Sequence, residues 1–226
     1  MKKSWCIGEI TSEFVASMED VLELYEEEFD VLRPVVCFDE TSKQLVRERR
    51  TAVPAKSGRV ERFDYEYKRN GVANLFMMCQ PKSGWRHVEV TDRHTKLDFA
   101  EQMKYLVDEA FPEVEKIRVV MDNLSTHSRG AVYDRFAPTE ASRILRKLEF
   151  HFTPKHASWL NMAEIELSVL ARQCLSRRIS DKEILKNEVK AWEEKRNQAK
   201  CQIQWKMTVT DAREKLIRHY PSILDG

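Results

Sequence analysis

Apolar residues recur early in the chain at helical spacing. Phe14, Met18, Val21, Tyr25 and Phe29 predict an amphipathic helix over residues 12–29, with Thr11 or Ser12 as N-cap and Glu13 in the first turn. Pro34 then opens an unbroken apolar run, Val35-Val36-Cys37-Phe38, which reads as a buried strand ending in Asp39-Glu40. A basic stretch containing Pro54 and Gly58 reads as a loop. Beyond it, Phe63, Tyr65 and Tyr67 alternate with Arg62, Asp64, Glu66 and Lys68, the pattern of a half-buried strand. Asn70-Gly71 supplies a hairpin turn, Val72 to Cys79 a more apolar strand, Pro81 to Gly84 another turn, and Trp85 to Thr91 a third strand, so this region predicts an antiparallel meander.

A helix capped by Thr95, with Asp98 in its first turn, follows; its core stripe is Leu97, Phe99, Ala100, Met103, Leu106, Val107 and Ala110, and Phe111-Pro112 ends it. Ile117 to Met121 is a second short apolar strand, with Asp122 at its carboxyl end, where open α/β sheets place their ligands. A helix around 139–147, a strand at Leu148 to Phe152 and the loop Thr153 to Ser158 lead to a helix from Trp159 to Ser176. Ser180-Asp181-Lys182-Glu183 is a capping-box pattern opening a helix that carries Ile184, Leu185, Val189 and Trp192, and a last short helix spans Asp211 to His219 with Ala212, Leu216 and Ile217 inward. We divide the chain into an acidic helix (1–30), a core (31–178) and a helical extension of the same domain (179–226).

Composition narrows the function classes. The sequence has no apolar run of about 18 residues and no signal-peptide pattern, so a soluble cytoplasmic protein with no membrane partner is expected. Five cysteines, an odd number with no C-x-x-C pair, argue against a disulfide framework or a zinc ribbon and for packed thiols. The net charge of +1 is uninformative, but its distribution is not: residues 11–30 carry eight acids and no base, and residues 41–70 carry nine Lys or Arg against four acids. A basic segment next to Asp39 suits an approaching polyanion, and it equally suits an ordinary solvated face.

Three acids stand out. Side chains alternate across a strand, so only one of Asp39 and Glu40 serves a given face. On a helical wheel, Glu164 falls beside the stripe of Leu160, Ala163, Leu167, Leu170, Ala171 and Cys174, whereas Glu166 lies nearer its opposite edge. An inward carboxylate needs a cation, either a metal or a structural Arg or Lys.

The order of elements, with acids on a first strand, after a later one and on a late helix, is that of the ribonuclease H-like fold. The blocks Val35-Val36-Cys37-Phe38-Asp39-Glu40, Met121-Asp122-Asn123 with Thr126-His127, and Pro154-Lys155-His156 through Ser158-Trp159-Leu160-Asn161-Met162-Ala163-Glu164-Ile165-Glu166 resemble the catalytic domain of insertion-sequence DDE transposases of the Tc/mariner superfamily, bacterial branch. The similarity runs from about Trp5 to Tyr220. It implies an α/β, ribonuclease H-like fold with a mixed five-stranded sheet, three antiparallel strands plus parallel strands, flanked by helices.

By the same resemblance Asp39, Asp122 and Glu164 are the catalytic triad and hold two Mg²⁺ or Mn²⁺ ions, with Asp39 bridging them. The implied reaction is hydrolysis at transposon ends followed by attack of the 3′-hydroxyl on target DNA at a TA step, and the implied assembly is a homodimer on terminal inverted repeats at the nucleoid. Many mariner-like members have Asn-Pro-Ile-Glu where this chain has Asn161-Met162-Ala163-Glu164. The family's helix-turn-helix modules have no expected counterpart in this chain. Asn123, His127, Glu40 and Glu166 are candidates for supporting the acids, although an Asn-x-x-x-His turn also satisfies backbone groups after a strand. Lys155, His156, Arg172, Arg177 and Arg178 are candidate DNA contacts, the arginines expected along the Glu164 helix; Trp159 reads as a core anchor. A nuclease that cuts without joining, and a non-catalytic DNA- or partner-binding remnant, remain open alternatives.

Overall fold

A computed structural model describes residues 10–50, 54–60, 65–217 and 220. Helix α1 (Ser12–Glu26) starts where Thr11 accepts the Phe14 N–H, and it ends before Phe29, which is half exposed. The predicted last turn is missing because Glu27 already has an extended ψ of 148°. Strands β1 (Val35–Glu48), β2 (Tyr67–Gln80), β3 (Trp85–Thr91), β4 (Ile117–Met121) and β5 (Leu148–Phe152) form one sheet in the order β3-β2-β1-β4-β5. The β3, β2 and β1 pairings are antiparallel, and those of β1 with β4 and β4 with β5 are parallel. This is the mixed five-stranded sheet that the resemblance implied.

Two details of the meander differ from the sequence reading. First, β1 does not stop at Asp39 but runs on to Glu48, past the end of β4, as a two-stranded ribbon with β2. Second, Asn70-Gly71 is not a hairpin turn. It lies inside β2, where the register shifts between Gln44 and Val46, and Gly71 has φ +90°, so the glycine serves a β-bulge. The ribbon folds back instead near Lys56 and Arg59, whose backbones exchange hydrogen bonds of 3.0 and 2.8 Å around Gly58 at φ +75°. A positive-φ glycine has the same local signature in a bulge and in a turn, and only the partner strand tells them apart. Phe63 and its neighbours 61–64 lie outside the described residues.

Alternation on the central strands sorts side chains into two cores. Cys37, Val120, Leu75, Met77 and Cys79 face a layer that includes Met18, Val21 and Leu22 of α1, Ala163 and Leu170 of α5 (Met162–Gln173), Leu185 and Val189 of α6 (Lys182–Gln198), and Ala212 of α7 (Val209–Leu216). Val36, Phe38, Phe76, Val119 and Met121 face α2 (Lys96–Tyr105), α3 (Arg129–Arg135) and α4 (Pro138–Lys147). Each fully buried Leu or Met here is worth about 1.5–3 kcal/mol relative to exposure. The Thr95 and Asp98 capping box that opens α2 is as predicted, while α3 was not foreseen. At α6 the cap is Asp181, which accepts the Ile184 N–H at 3.0 Å, rather than a Ser180 box. At α7, Ile217 is exposed and His219 lies outside the described residues. The thiols of Cys37, Cys79 and Cys174 are free and buried, as expected; Cys6 is not among the described residues. No described helix is long and apolar enough to cross a membrane.

Candidate active site

The strand register builds the site. Val36 pairs with Val119 and Cys37 with Val120, so continuing along both strands brings Asp39 beside Asp122. Both acids share the parity of Cys37 and Val120, and so they face the layer that contains α5. Glu40 takes the opposite face, as the alternation required. The chain from β5 enters through Thr153 to Ala157, passes a short 3₁₀ turn (Ser158–Leu160) and starts α5 at Met162, which puts Glu164 in its first turn.

Three bonds that the sequence reading missed hold this corner. Asn161 is completely buried; its side chain donates to the Phe38 carbonyl at 2.8 Å and accepts the Ala163 N–H at 3.1 Å. The Tyr25 hydroxyl donates to the Leu160 carbonyl at 2.8 Å. Asn161 thus caps α5 and ties it to β1 one residue before Asp39. A cap residue directly ahead of a helical stripe was the available signal.

The wheel argument misjudged the two glutamates. Glu164 is exposed, whereas Glu166 is 1% exposed and lies between two cations, Arg86 Nε at 3.2 Å and Arg196 Nη2 at 2.7 Å. The reason is where the helix begins. Leu160 belongs to the 3₁₀ turn, so the inward stripe of α5 runs through Met162, Ala163, Glu166 and Leu170, and Ala171 is exposed.

The electrostatics are those of a crowded anionic site. Burial, opposed by a hydrogen bond from the Glu40 N–H, and then the negative charges of Glu40, Asp122 and Glu164, push the Asp39 carboxyl up to about 7. His127 holds Asp122 below the usual carboxylate range by a hydrogen bond that outweighs burial. Burial would pull His127 down, but its bonds to Asp122 and Glu40 and their charges win and push it up to about 9. Both ring nitrogens face carboxylates, so both must carry protons to be satisfied.

Each candidate acid keeps oxygen to spare. The hydrogen bonds of Asp39 and Asp122 go to Oδ1 in both cases, from Glu40 N at 2.8 Å and Leu124 N at 3.3 Å, and the Glu164 carboxylate makes none among the described residues. Among the described residues no three His, Cys, Asp or Glu side chains already converge at ligand distance. Uncommitted carboxylate oxygens in a mutually repelling group nevertheless fit a hard divalent cation.

The remaining predicted residues scatter around this corner. Asn123 is exposed in the turn after β4. Lys155 and His156 are exposed on the loop entering the site, His156 at φ +66°. Arg172 is on the exposed face of α5, but Arg177 and Arg178 lie beyond its end, because the helix stops at Gln173. Arg178 rests 5.5 Å from the Tyr67 ring, at the outer end of the β1–β2 ladder, and Arg177 pairs with Glu188. Trp159 is partly exposed and stacks on Trp205 with 6.4 Å between rings, less an anchor than a surface ring.

Residues 34–186, which span the sheet, the three acids and the start of α6, match the family described as DDE superfamily endonuclease. The chain belongs to this DDE superfamily. Its fold is that of the Mos1 mariner paired-end complex with Mn, at TM-score 0.59 and 15% identity over 97% of this chain and 65% of that one. The Mos1 strand transfer complex gives 0.58 and 13% over 97% and 64%, and the paired-end complex with Mg gives 0.56 and 16% over 96% and 65%. The DDE domain therefore spans about 65% of the length of the Mos1 chain. No curated protein matches it. The expected family holds at the level of the DDE superfamily, and the expected fold holds in its likeness to the Mos1 mariner structures.

Proposed function

We propose that this DDE domain cuts phosphodiesters at transposon ends and joins the freed 3′-hydroxyl to target DNA, with Asp39, Asp122 and Glu164 as its catalytic acids. The observation that carries the reading is that, in a DDE-family chain, strand register sets Asp39 beside Asp122 and the charges of Asp122 and Glu164 bear on Asp39, each acid having an uncommitted oxygen. The paired-end complexes of Mos1 with Mn and with Mg support a divalent cofactor, and hard oxygen donors with no thiol or histidine cluster suit two Mg²⁺ or Mn²⁺ ions. Bound there, such ions would activate the attacking hydroxyl and neutralise the leaving oxygen.

The protein's own part is to hold and orient. Asp39 and Asp122 are fixed by strand pairing, and Glu164 by the Asn161 cap. Cleavage adds water to phosphorus and breaks its bond to the 3′ oxygen, leaving a 3′-hydroxyl and a 5′-phosphate. In joining, that hydroxyl replaces water and the target's 3′ oxygen departs, so no protein nucleophile is required. Lys155, His156 and Arg172 line the approach on exposed surface and are proposed phosphate contacts, with Arg177 and Arg178 doing the same at the ribbon. We extend the proposal to terminal inverted repeats, a TA target, a homodimer on paired ends, and action at the nucleoid of a bacterial cytoplasm.

The test is incubation with a pre-cut oligonucleotide end, a supercoiled plasmid and Mn²⁺, beside an Asp122→Ala control. Joined product that vanishes in the variant is expected. Cleavage without joining would instead make the domain a nuclease, and no metal-dependent reaction from the folded chain would overturn the catalytic reading.

A further inference from the structure

His127 occupies a place that a turn-ending histidine does not need. Its side chain is 1% exposed and packs edge-on to Phe38 at 5.3 Å and against Phe99 at 5.0 Å. Those walls leave its nitrogens two directions, and both are taken: Nδ1 is 2.8 Å from Asp122 Oδ1, and Nε2 is 3.0 Å from Glu40 Oε2. Glu40 points away from the face that carries Asp39 and cannot join the other acids from its own strand. Through His127 it reaches Asp122 round the end of the sheet.

Stability alone does not call for this arrangement. An imidazole between two carboxylates must be stripped of water, a cost that an apolar residue between Phe38 and Phe99 would avoid. The consequence falls on Asp122: the Leu124 N–H bonds Oδ1, His127 Nδ1 stands 2.8 Å from the same oxygen as a close charge pair while its hydrogen bond at 3.3 Å goes to the Asp122 backbone carbonyl, and Oδ2 has no hydrogen bond among the described residues.

We infer that Glu40 and His127 are positioning residues, a clasp that fixes the Asp122 carboxylate with Oδ1 committed to the histidine and Oδ2 reserved for a divalent cation. This rests on the proposed role of Asp39, Asp122 and Glu164 as metal-holding acids. Outer hydrogen bonds of this kind orient a ligand oxygen and commonly change metal affinity about 10–100-fold when removed.

The experiment is a Mn²⁺ titration of the full chain, reading free Mn²⁺ by electron paramagnetic resonance, with a melting curve for every variant. His127→Phe keeps an aromatic ring between Phe38 and Phe99, and Glu40→Gln removes only a charge from a side chain that is 14% exposed. Folded His127→Phe is expected to bind Mn²⁺ about 10–100-fold more weakly, and Glu40→Gln more weakly by a smaller factor in that range. Their cleavage defect is expected in kcat with KM for DNA unchanged. A histidine that merely supported the fold would lower the melting temperature and leave the affinity of the folded protein alone. Wild-type Mn²⁺ affinity in both folded variants overturns the clasp, and if His127→Phe does not fold, Glu40→Gln decides by itself. Wild-type affinity in Asp122→Ala as well would mean that the reading of the acids as metal ligands has failed, not the clasp alone.

Discussion

At the scale of residues, exposure and importance part company. Glu164 is exposed and makes no side-chain hydrogen bond among the described residues, so Glu164→Gln is expected to change unfolding free energy by no more than about 0.5 kcal/mol while abolishing metal-dependent cleavage. Denaturant melts and a plasmid-nicking assay on the same preparation check this; retained cleavage would remove Glu164 from the triad. Asn161 should behave in the opposite way. Asn161→Ala deletes the α5 cap and leaves the Phe38 carbonyl buried without its partner, which together cost about 2–4 kcal/mol. Urea unfolding measures that loss, and a value near zero would mean that α5 holds its place without the tie.

At the scale of elements, buried charge fixes how helices meet the sheet. Arg86 and Glu166 are each 1% exposed; the Arg86 guanidinium also reaches the Gly84 carbonyl at 2.9 Å, while Asn197 accepts the Arg86 N–H at 2.9 Å. The Arg86 Nε contact to Glu166 at 3.2 Å is a close charge pair without hydrogen-bond alignment. Arg86→Ala would leave Glu166 with Arg196 alone, although the backbone bonds of residue 86 to Asn197 would persist, at a cost of about 3–5 kcal/mol by denaturant unfolding. A milder, pH-dependent link joins α7 to α1. A hydrogen bond from Arg213, opposed by burial and helped by the Tyr220 hydroxyl and the Arg213 charge, holds the Glu19 carboxyl below its usual range. A depressed carboxyl stabilises the fold above its unfolded pKa, and that contribution is lost as pH falls from there through the folded value. Amide protection in α7, corrected for the intrinsic exchange rate at each pH, is therefore expected to fall on acidification below about pH 4.5, and Arg213→Ala should remove that pH step. An unchanged step in Arg213→Ala would assign it to another carboxylate.

At the scale of the whole molecule, the sheet's antiparallel half and its parallel half meet at β1, and the proposed site lies on that strand where β4 ends. A cation bound only by the folded corner must stabilise the whole domain: Mn²⁺ at a hundredfold excess over its dissociation constant adds about 2.7 kcal/mol. A thermal shift of that size is expected for the wild-type chain and should disappear in Asp39→Asn. A shift that survives the substitution would place the cation elsewhere.

Local pattern was enough for much of this. Val35 to Phe38 and, apart from the buried Arg118, Ile117 to Met121 are apolar on both faces because helices cover both sides of the sheet, and that is written in the chain. The motif blocks around Asp39, Asp122 and Glu164 pointed to the family before any contact was known. What the sequence could not determine depends on partners far away along the chain. Gly71 is a bulge because β1 lies beside it, and Glu166 rather than Glu164 is buried because Asn161 bonds Phe38 and resets where α5 begins. His127 reaches Glu40 only after β1 and β4 have paired. Periodicity reports which way a side chain points along its own element; which group it meets is decided by tertiary packing, where the cost of an unpaired buried charge or donor selects the partner.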